Sequence, residues 1–279
     1  MPVKTEKLDS IIKTALEEDL PQGDITSESI IEPNFFSEAI ILAKEMGILA
    51  GIEVAQRVFQ LIDDTVIFRK RLKDGKPFDP GQILADLKGN SISILKAERT
   101  ALNFLQRLSG IATITHKFVE ALEGSKTAIL DTRKTTPGLR ALEKYAVRMG
   151  GGENHRFNLS EMVLIKDNHL CLVKSIAYAV QRARKKVGPE VEIEVEVSTL
   201  EEAEEAIKSG ANRVMLDNMD LEELKKVVPQ LKGRIALEVS GKVSLAEIKE
   251  LGSLGVDYIS IGSLTHSYKS IDISLEFLG

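Results

Sequence analysis

The chain has 279 residues, of which 43% are hydrophobic, a formal net charge of −5 and a single cysteine, Cys171. This length and apolar content allow one large domain or two unequal ones. The mildly acidic charge argues against a nucleic-acid partner held by bulk electrostatics, and one cysteine excludes an intramolecular disulfide and a cysteine metal cage. The charged N-terminus and the lack of a membrane-spanning apolar run predict a cytoplasmic protein without a membrane partner.

The first third of the chain has the pattern of a small α+β domain. Apolar residues along 8–20 form one helix face that ends at the helix breaker Pro21. A second helix is predicted at about 53–61, and turn sequences lie at 74–76 and 88–90. Strands are predicted at residues 38–44, 66–72, 83–87 and 91–94.

A long helix starts near residue 96, and beyond it apolar strands alternate with helical patterns. The strands are apolar on both faces, as buried parallel strands are. They are predicted at residues 127–130, 162–165, 191–197, 213–216, 235–239 and 258–261. Six strands are fewer than the eight of a complete (β/α)₈ barrel. We therefore predict an α/β protein with an N-terminal α+β sandwich-like domain followed by an incomplete parallel α/β barrel.

Polar residues follow these six strands at the ends that converge in a parallel barrel. They are Arg133 and Lys134 after the first strand, Lys166 after the second, Glu196 near the end of the third, Asp217 after the fourth, Ser240 and Gly241 after the fifth, and Gly262 and Ser263 after the sixth. Ligands bind at this face of barrel proteins, so the pattern indicates an enzyme.

Cationic side chains are dense between residues 129 and 169. They are Arg133, Lys134, Arg140, His155, Arg156 and Lys166. Glycines and hydroxyls stand among them and can bring backbone N–H groups close to a ligand. The segment therefore predicts a pocket for a polyanion.

Several of these residues also have an ordinary structural explanation. Glu194 alternates with apolar residues, and we interpret it as a solvated strand residue. Glu196 has the same alternation but lies near the basic cluster, which favours a role in the site. Asp217 is explained equally well as a helix cap, and His116, outside the clusters, as a structural histidine. The glycines at 150–152 fit either a flexible linker or a loop over a ligand.

These motifs together resemble those of the quinolinate phosphoribosyltransferase family. The matching segments are residues 98–103, 131–140, 150–156, 164–169, 194–196, 215–218 and 261–267. They cover nearly the whole chain in order, and the Asp-Thr-Arg-Lys-Thr-Thr-Pro-Gly run of 131–138 is highly specific. Two departures stand out. Lys242 replaces a second glycine after Ser-Gly, and Met149 stands where a cysteine is frequent.

The resemblance implies an N-terminal α/β domain over 1–108, a phosphoribosyltransferase barrel over 109–269 and a tail over 270–279 that returns to the first domain. It also implies the transfer of phosphoribosyl from phosphoribosyl pyrophosphate to quinolinate with decarboxylation. The products are nicotinate mononucleotide, pyrophosphate and CO₂, the cofactor is Mg²⁺, and the pathway is NAD synthesis.

The resemblance assigns roles to individual residues. Lys134, Glu196 and Asp217 are the expected catalytic residues, and the two carboxylates hold ribose hydroxyls directly or through Mg²⁺. The expected substrate-binding residues are Arg99, Thr132, Arg133, Lys134, His155, Arg156, Lys166, Glu196, Asp217, Ser240, Gly241, Lys242, Ile261, Gly262, Ser263 and His266.

The family also supplies the matching arginine from a partner subunit, so we expect a homodimer or higher homo-oligomer in which Arg99 crosses the interface. Two other functions stay open at this point. One is a phosphosugar aldolase or isomerase barrel with Lys166 as a Schiff-base lysine. The other is a repurposed relative that binds another anion without catalysis.

Overall fold

The computed structural model of the protein describes residues 5–278, which divide into two compact units. The first unit contains residues 5–116, 135–151 and 264–278, and the second contains residues 117–134 and 152–263. The division into 1–108, 109–269 and 270–279 stays a prediction.

The helices and strands follow one another in this order: α1 (Thr5–Asp19), α2 (Ile25–Ile30), β1 (Phe36–Ala43), β2 (Gly47–Ile48), α3 (Ile52–Ile62), β3 (Ile67–Lys70), β4 (Pro77–Phe78), β5 (Ile83–Asn90), α4 (Ser91–Ala121), β6 (Ala128–Leu130), α5 (Arg140–Met149), β7 (Val163–Ile165), α6 (Asp167–Val173), α7 (Ile176–Val187), β8 (Ile193–Val197), α8 (Leu200–Lys208), β9 (Arg213–Asp217), α9 (Leu221–Leu231), β10 (Ala236–Ser240), α10 (Ile248–Leu254), β11 (Tyr258–Ser260), α11 (Ser263–His266) and β12 (Ile273–Leu278).

The first unit contains an antiparallel sheet in the order β12-β1-β5-β3. The last strand, β12, pairs with β1 from Glu38 opposite Leu278 to Ala43 opposite Ile273. Helix α3 turns one apolar face inward and buries Val54, Val58 and other residues of that face. A two-stranded pairing of β2 with β4 completes the strands of this unit.

The strand predicted at residues 91–94 is wrong, because these residues begin α4. The side-chain oxygen of Asn90 accepts the backbone N–H groups of Ile92 and Ser93, at 3.0 and 3.1 Å. This cap satisfies two of the N–H groups that the first turn of a helix leaves without partners. The Ser-Ile-Ser-Ile alternation resembles a strand, but the cap and the helical spacing beyond it favour a helix. The turn predicted at 88–90 is also wrong, because β5 extends through these residues.

The second unit contains six parallel strands in the order β6-β11-β10-β9-β8-β7. All six predicted strands are present, and the sheet stays open between β6 and β7. An isolated bridge from Leu130 to Glu153 adds one residue beside β6 at this opening. The prediction of an incomplete parallel α/β barrel is confirmed. Within residues 5–278, no helix is long and apolar enough to cross a membrane.

Candidate active site

The second unit places most of the predicted site residues at the carboxyl ends of its strands. Thr132, Arg133 and Lys134 follow β6, Lys166 follows β7, Glu196 lies in β8, Asp217 ends β9, Ser240 ends β10, and Ile261 and Gly262 follow β11. The parallel pairings bring these ends to one edge of the sheet, because neighbouring parallel strands run in the same direction. Arg99 and His266 belong to the first unit, on α4 and α11.

Asp131 fixes the two segments that carry most of the cations. Its carboxylate is fully buried and accepts the backbone N–H of His155 at 3.0 Å and the side-chain amide of Asn154 at 2.6 Å. The hydroxyl of the next residue, Thr132, accepts the backbone N–H of Lys134 at 3.0 Å. A buried carboxylate needs such donors, and here they tie the loop after β6 to the segment that begins at Gly152.

The Arg156 side chain lies inside the second unit, with 9% of the residue exposed. Its Nη1 donates to the carbonyl of Met162 at 3.1 Å. Burial, followed by the nearby Arg133, lowers the pKa of the Arg156 guanidinium from its ordinary value. Burial and the second cation both disfavour the charged form, so this part of the site gains stability when an anion binds.

Lys166 and Glu196 form an ion pair at the ends of β7 and β8. Lys166 Nζ lies 3.0 Å from Glu196 Oε2, and the Glu196 side chain is 13% exposed whereas that of Lys166 is 42% exposed. The pair leaves the second oxygen of Glu196 for another ligand. Lys166 also stands at the N-cap position of α6, where its backbone N–H donates to Nδ1 of His169 at 2.9 Å.

The interpretation of Glu194 as a solvated strand residue is wrong, because its side chain is 0% exposed. Its Oε2 lies 3.0 Å from Nε2 of His155. Glu238 of β10 is equally buried, 3.6 Å from the same nitrogen and 3.1 Å from Nη1 of Arg213. Sequence reasoning missed Glu238 and Arg213. The signal was a charged residue in a largely apolar strand, Glu238 in β10 and Arg213 at the start of β9.

The loops after β9 and β10 come close together at Gly241. Asn218, with φ of +54°, donates its backbone N–H to the carbonyl of Ser240 at 3.0 Å. Gly241 has φ of +134°, and a Cβ there would lie 3.0 Å from Asn218 Oδ1. A side chain at Gly241 would therefore be strained by the positive φ and crowded by Asn218. Lys242 is exposed and is not among the residues with positive φ, so the backbone does not require a glycine there.

Two of the glycines at 150–152 have a structural reason within the first unit. A Cβ on Gly150 would lie 2.3 Å from the carbonyl of Ala112, so only glycine allows this approach of α5 to α4. Gly151 has φ of +91°, which also favours glycine. A close packing contact therefore accounts for Gly150, and a left-handed backbone accounts for Gly151.

Residues that sequence reasoning did not select hold the segment after Lys134. Glu143 of α5 is fully buried and accepts the backbone N–H of Thr136 at 3.1 Å. Arg107 of α4 donates through Nε to the same carboxylate at 3.2 Å and stacks 4.9 Å above the ring of Tyr268. All four residues belong to the first unit, and together they fix the Thr-Thr-Pro-Gly turn.

Family models match both parts of the chain. The model described as quinolinate phosphoribosyl transferase, N-terminal domain, matches residues 24–109. The model described as quinolinate phosphoribosyl transferase, C-terminal domain, matches residues 111–276. Together they span most of the chain.

The chain is similar over nearly its full length to proteins of one description. It is 45% identical over 259 residues to the probable nicotinate-nucleotide pyrophosphorylase [carboxylating] of Bacillus subtilis, with 93% of this chain and 89% of that protein covered. The crystal structure of NadC from Streptococcus pyogenes superposes with a TM-score of 0.95 at 43% identity, covering 100% of both chains. The nicotinate-nucleotide pyrophosphorylase from Francisella tularensis gives a TM-score of 0.93 at 40% identity, covering 99% of this chain and 98% of that one.

The buried carboxylates predict a pH dependence of stability. Burial raises the pKa of both Glu194 and Glu238, each to about 7 from 4.5, and in Glu238 the neighbouring Glu194 adds to the rise. A raised pKa means that the folded state binds more protons than the unfolded state between these values. The free energy of unfolding should therefore fall as pH rises from about 4.5 to about 7, by roughly 1 to 3 kcal/mol for the coupled pair, and then level off.

Chemical denaturation of the parent and of Glu238→Gln across this pH range measures the effect. The neutral amide removes the titration of Glu238 and leaves that of Glu194, so the variant should lose less stability than the parent as pH rises. Glu192→Gln is the matched control, because Glu192 contacts the same Arg213 at 2.9 Å from a side chain that is 38% exposed. A parent and a Glu238→Gln variant with parallel pH profiles would contradict the expected titration.

Proposed function

The chain belongs to the quinolinate phosphoribosyltransferase family, and we propose that its barrel site performs that family's reaction. Phosphoribosyl passes from phosphoribosyl pyrophosphate to the ring nitrogen of quinolinate, and nicotinate mononucleotide, pyrophosphate and CO₂ are formed in NAD biosynthesis. The observation that carries the proposal is the buried Arg156 beside Arg133 at the strand ends of an incomplete barrel. An anion with two acidic groups would suit two cations held together there.

The two carboxylates of quinolinate suit the cations of this site. Planar guanidinium groups bind carboxylates through two parallel hydrogen bonds, so Arg133 and Arg156 are the natural partners of the dianion. Lys166 adds a point charge at the end of β7. His155, held between Asp131 and Glu194, places the Arg156 backbone.

Ribosyl transfer builds positive charge on the ribose as pyrophosphate leaves. Carboxylates at the strand ends would stabilise that charge and hold the ribose hydroxyls, a role for Glu196 and Asp217. Lys134 would balance the negative charge of the departing pyrophosphate. The ring nitrogen uses its own lone pair and needs no general base. Once it bears the ribosyl group it is cationic, so it accepts the electron pair left when the C–CO₂ bond breaks, and that ring carbon then takes a proton.

The residues present fit a magnesium ion. Mg²⁺ prefers carboxylate oxygens together with phosphate oxygens of a substrate. Glu196 has one oxygen beyond its ion pair with Lys166, and Asp217 has one beyond its 2.5 Å bond from Asn218. When bound, the ion would neutralise part of the pyrophosphate charge.

The phosphate of the phosphoribosyl group would lie at the loops after β10 and β11. Positively charged or backbone N–H donors suit a phosphate, and Ser240, Gly241 and Lys242 supply both kinds. Ile261, Gly262 and Ser263 supply a second set after β11, and His266 follows on α11.

A Schiff-base aldolase is not favoured. Such a lysine works in an apolar setting or next to another cation. Lys166 instead pairs with Glu196 at 3.0 Å.

A location in the cytoplasm remains a proposal and is supported by the single exposed cysteine.

The reaction itself is tested by quinolinate-dependent release of CO₂ with phosphoribosyl pyrophosphate and Mg²⁺. Purified protein should release CO₂ from quinolinate, and it should turn over nicotinate poorly because one carboxylate leaves part of the cation cluster without a partner. Arg156→Ala should weaken quinolinate binding by about 2 to 4 kcal/mol, since a buried charge-assisted contact is lost.

Arg148→Ala is the matched control. Arg148 is exposed on α5 in the first unit, so this variant should keep the parent's quinolinate affinity and its rate of CO₂ release. No CO₂ release by the parent would remove the proposed function. Equal affinity for quinolinate in the parent and Arg156→Ala would remove only Arg156 from the site.

We also propose that the working unit is at least a homodimer in which each site takes Arg99 from the partner subunit. Arg99 is exposed on α4 and, among residues 5–278, makes no ion pair within its own chain. The carboxyl next to it, Glu98, has a pKa raised by burial and lowered in part by Arg99. An exposed arginine held on a rigid 31-residue helix suits delivery to another subunit.

Subunit exchange between two inactive variants tests this arrangement. In a mixed dimer of Arg99→Ala and Lys134→Ala, one site carries both lesions and the other carries none. With random mixing, activity should recover to about a quarter of the parent value. Mixing Lys134→Ala with Arg156→Ala is the control. Both residues serve their own chain's barrel, so every mixed site keeps one lesion and activity should not return. Exchange confirmed by mass with no recovery for the Arg99 pair would contradict a shared site.

A further inference from the structure

Asn218 has a strained backbone at the end of β9, directly after Asp217. Its φ is +54°, and among residues 5–278 only Lys174, with φ of +58°, is another non-glycine residue in the left-handed region. Residues with a side chain keep this conformation only where their surroundings hold them, and such residues cluster at functional sites. A glycine would adopt it without strain, so the asparagine side chain needs a reason.

The start of the following helix does not supply that reason. Helix α9 is capped by Asp220, whose carboxylate accepts the backbone N–H of Glu223 at 2.9 Å. The Glu223 carboxylate accepts the backbone N–H of Asp220 at 3.0 Å in return. This reciprocal pair is a complete capping box. The cap position that the sequence allowed for Asp217 therefore belongs to Asp220, and Asn218 is not needed there either.

Three contacts of Asn218 join Asp217 to the loop after β10. The side-chain amide donates to Oδ2 of Asp217 at 2.5 Å. The backbone N–H donates to the carbonyl of Ser240 at 3.0 Å, and Ser240 is the register partner of Asp217 in the parallel pair of β9 and β10. The side-chain Oδ1 lies 3.0 Å from where a Cβ on Gly241 would stand. Asn218 is therefore the residue at which the carboxylate of β9 meets the predicted phosphate-binding residues.

The amide bond restricts a carboxylate that would otherwise rotate. Asp217 is only half-buried, and a carboxylate in contact with water populates several rotamers. With Oδ2 held by the amide, Oδ1 is left to accept a ribose hydroxyl or to face Mg²⁺. Ordering the side chain before the ligand arrives removes a cost of binding. An asparagine suits this task, because its short side chain can form local hydrogen bonds in the left-handed conformation.

We propose that Asn218 is a positioning residue for the proposed reaction. Its amide sets the rotamer of Asp217 while its backbone N–H holds the end of β10, so that the ribose and the phosphate of one ligand meet a preformed surface. The inference rests on the proposed function, because it takes the bound sugar phosphate to be a phosphoribosyl group. Quinolinate binding is separate, since Arg156 contacts Met162 before β7, and β8 lies between β7 and β9 in the sheet.

Calorimetric binding of nicotinate mononucleotide without Mg²⁺ tests the proposal. This ligand carries the ribose and its phosphate, and it cannot react because pyrophosphate and CO₂ are absent. Asn218→Gly keeps the positive φ and the backbone N–H but loses the amide. Its dissociation constant for the mononucleotide should rise by roughly tenfold, the size typical when a group that orients a ligand-binding side chain is removed. Its quinolinate affinity should change by less than about twofold, because sites without shared contacts act independently.

Stability separates this role from a purely structural one. Urea denaturation without ligand should give Asn218→Gly a midpoint within about 0.5 M of the parent, because glycine relieves the strain at this φ. Lys174→Gly is the matched control. It removes the other left-handed side chain of the second unit, from an exposed position with no proposed role, and it should bind the mononucleotide as the parent does.

Asn218→Asp is the second variant. Aspartate is as short as asparagine and tolerates the left-handed conformation, but an ionised carboxylate cannot donate a hydrogen bond to Asp217. Glycine adds flexibility and aspartate adds charge, so only the loss of the amide donor is common to the two variants. Both should bind the mononucleotide more weakly than the parent.

Mononucleotide binding at the parent's affinity in either variant overturns the proposal. An equal loss of mononucleotide and quinolinate binding in Asn218→Gly, or a large fall in its urea midpoint, overturns it as well. If the parent binds the mononucleotide but releases no CO₂ from quinolinate, the proposed function fails while the variants still decide the role of Asn218. A parent that binds no mononucleotide overturns the inference, and CO₂ release then decides the function alone.

Discussion

A carboxylate inside a barrel must find a cation, a hydrogen-bond donor or a proton, because desolvation disfavours its charged form. Three acidic residues of the second unit, Asp131, Glu194 and Glu238, are buried in this way. Asp131 takes donors from Asn154 and from the backbone of His155. The other two carboxylates face the His155 ring. Satisfying these acids therefore also fixes the segment that presents Arg156, and the anion site depends on that constraint.

The sequence allowed the six barrel strands and the polar residues at their ends to be predicted, because both leave local patterns: apolar runs with polar residues directly after them. Residues 91–94 could not be assigned from pattern alone. Their alternation is typical of a strand, whereas the deciding interaction is a cap from Asn90. Gly150 likewise owes its identity to a carbonyl of α4 that no local pattern shows.

The buried acids escaped sequence reasoning for a different reason. Alternation of charged and apolar residues indicates a half-exposed strand only where one face of the sheet meets water. In a barrel both faces are covered, so Glu194 points into the interior although its pattern matches that of a solvated residue. Glu238 is the one charged residue of β10, Arg213 is the first residue of β9, and these two residues pair with each other across the strands. The role of each residue depends on its partner from another strand, and the sequence of a single strand does not show which partner it meets.

The protonation of the His155 ring tests this account most directly. Only four histidines are present, so the ¹⁵N resonances of the His155 ring can be assigned by comparison with a His155→Asn variant. The account predicts an unprotonated Nδ1 and a protonated Nε2 from about pH 6 to about pH 8, because the Arg156 N–H occupies Nδ1 and a carboxylate faces Nε2. A doubly protonated ring in this range, or a proton on Nδ1, would contradict it.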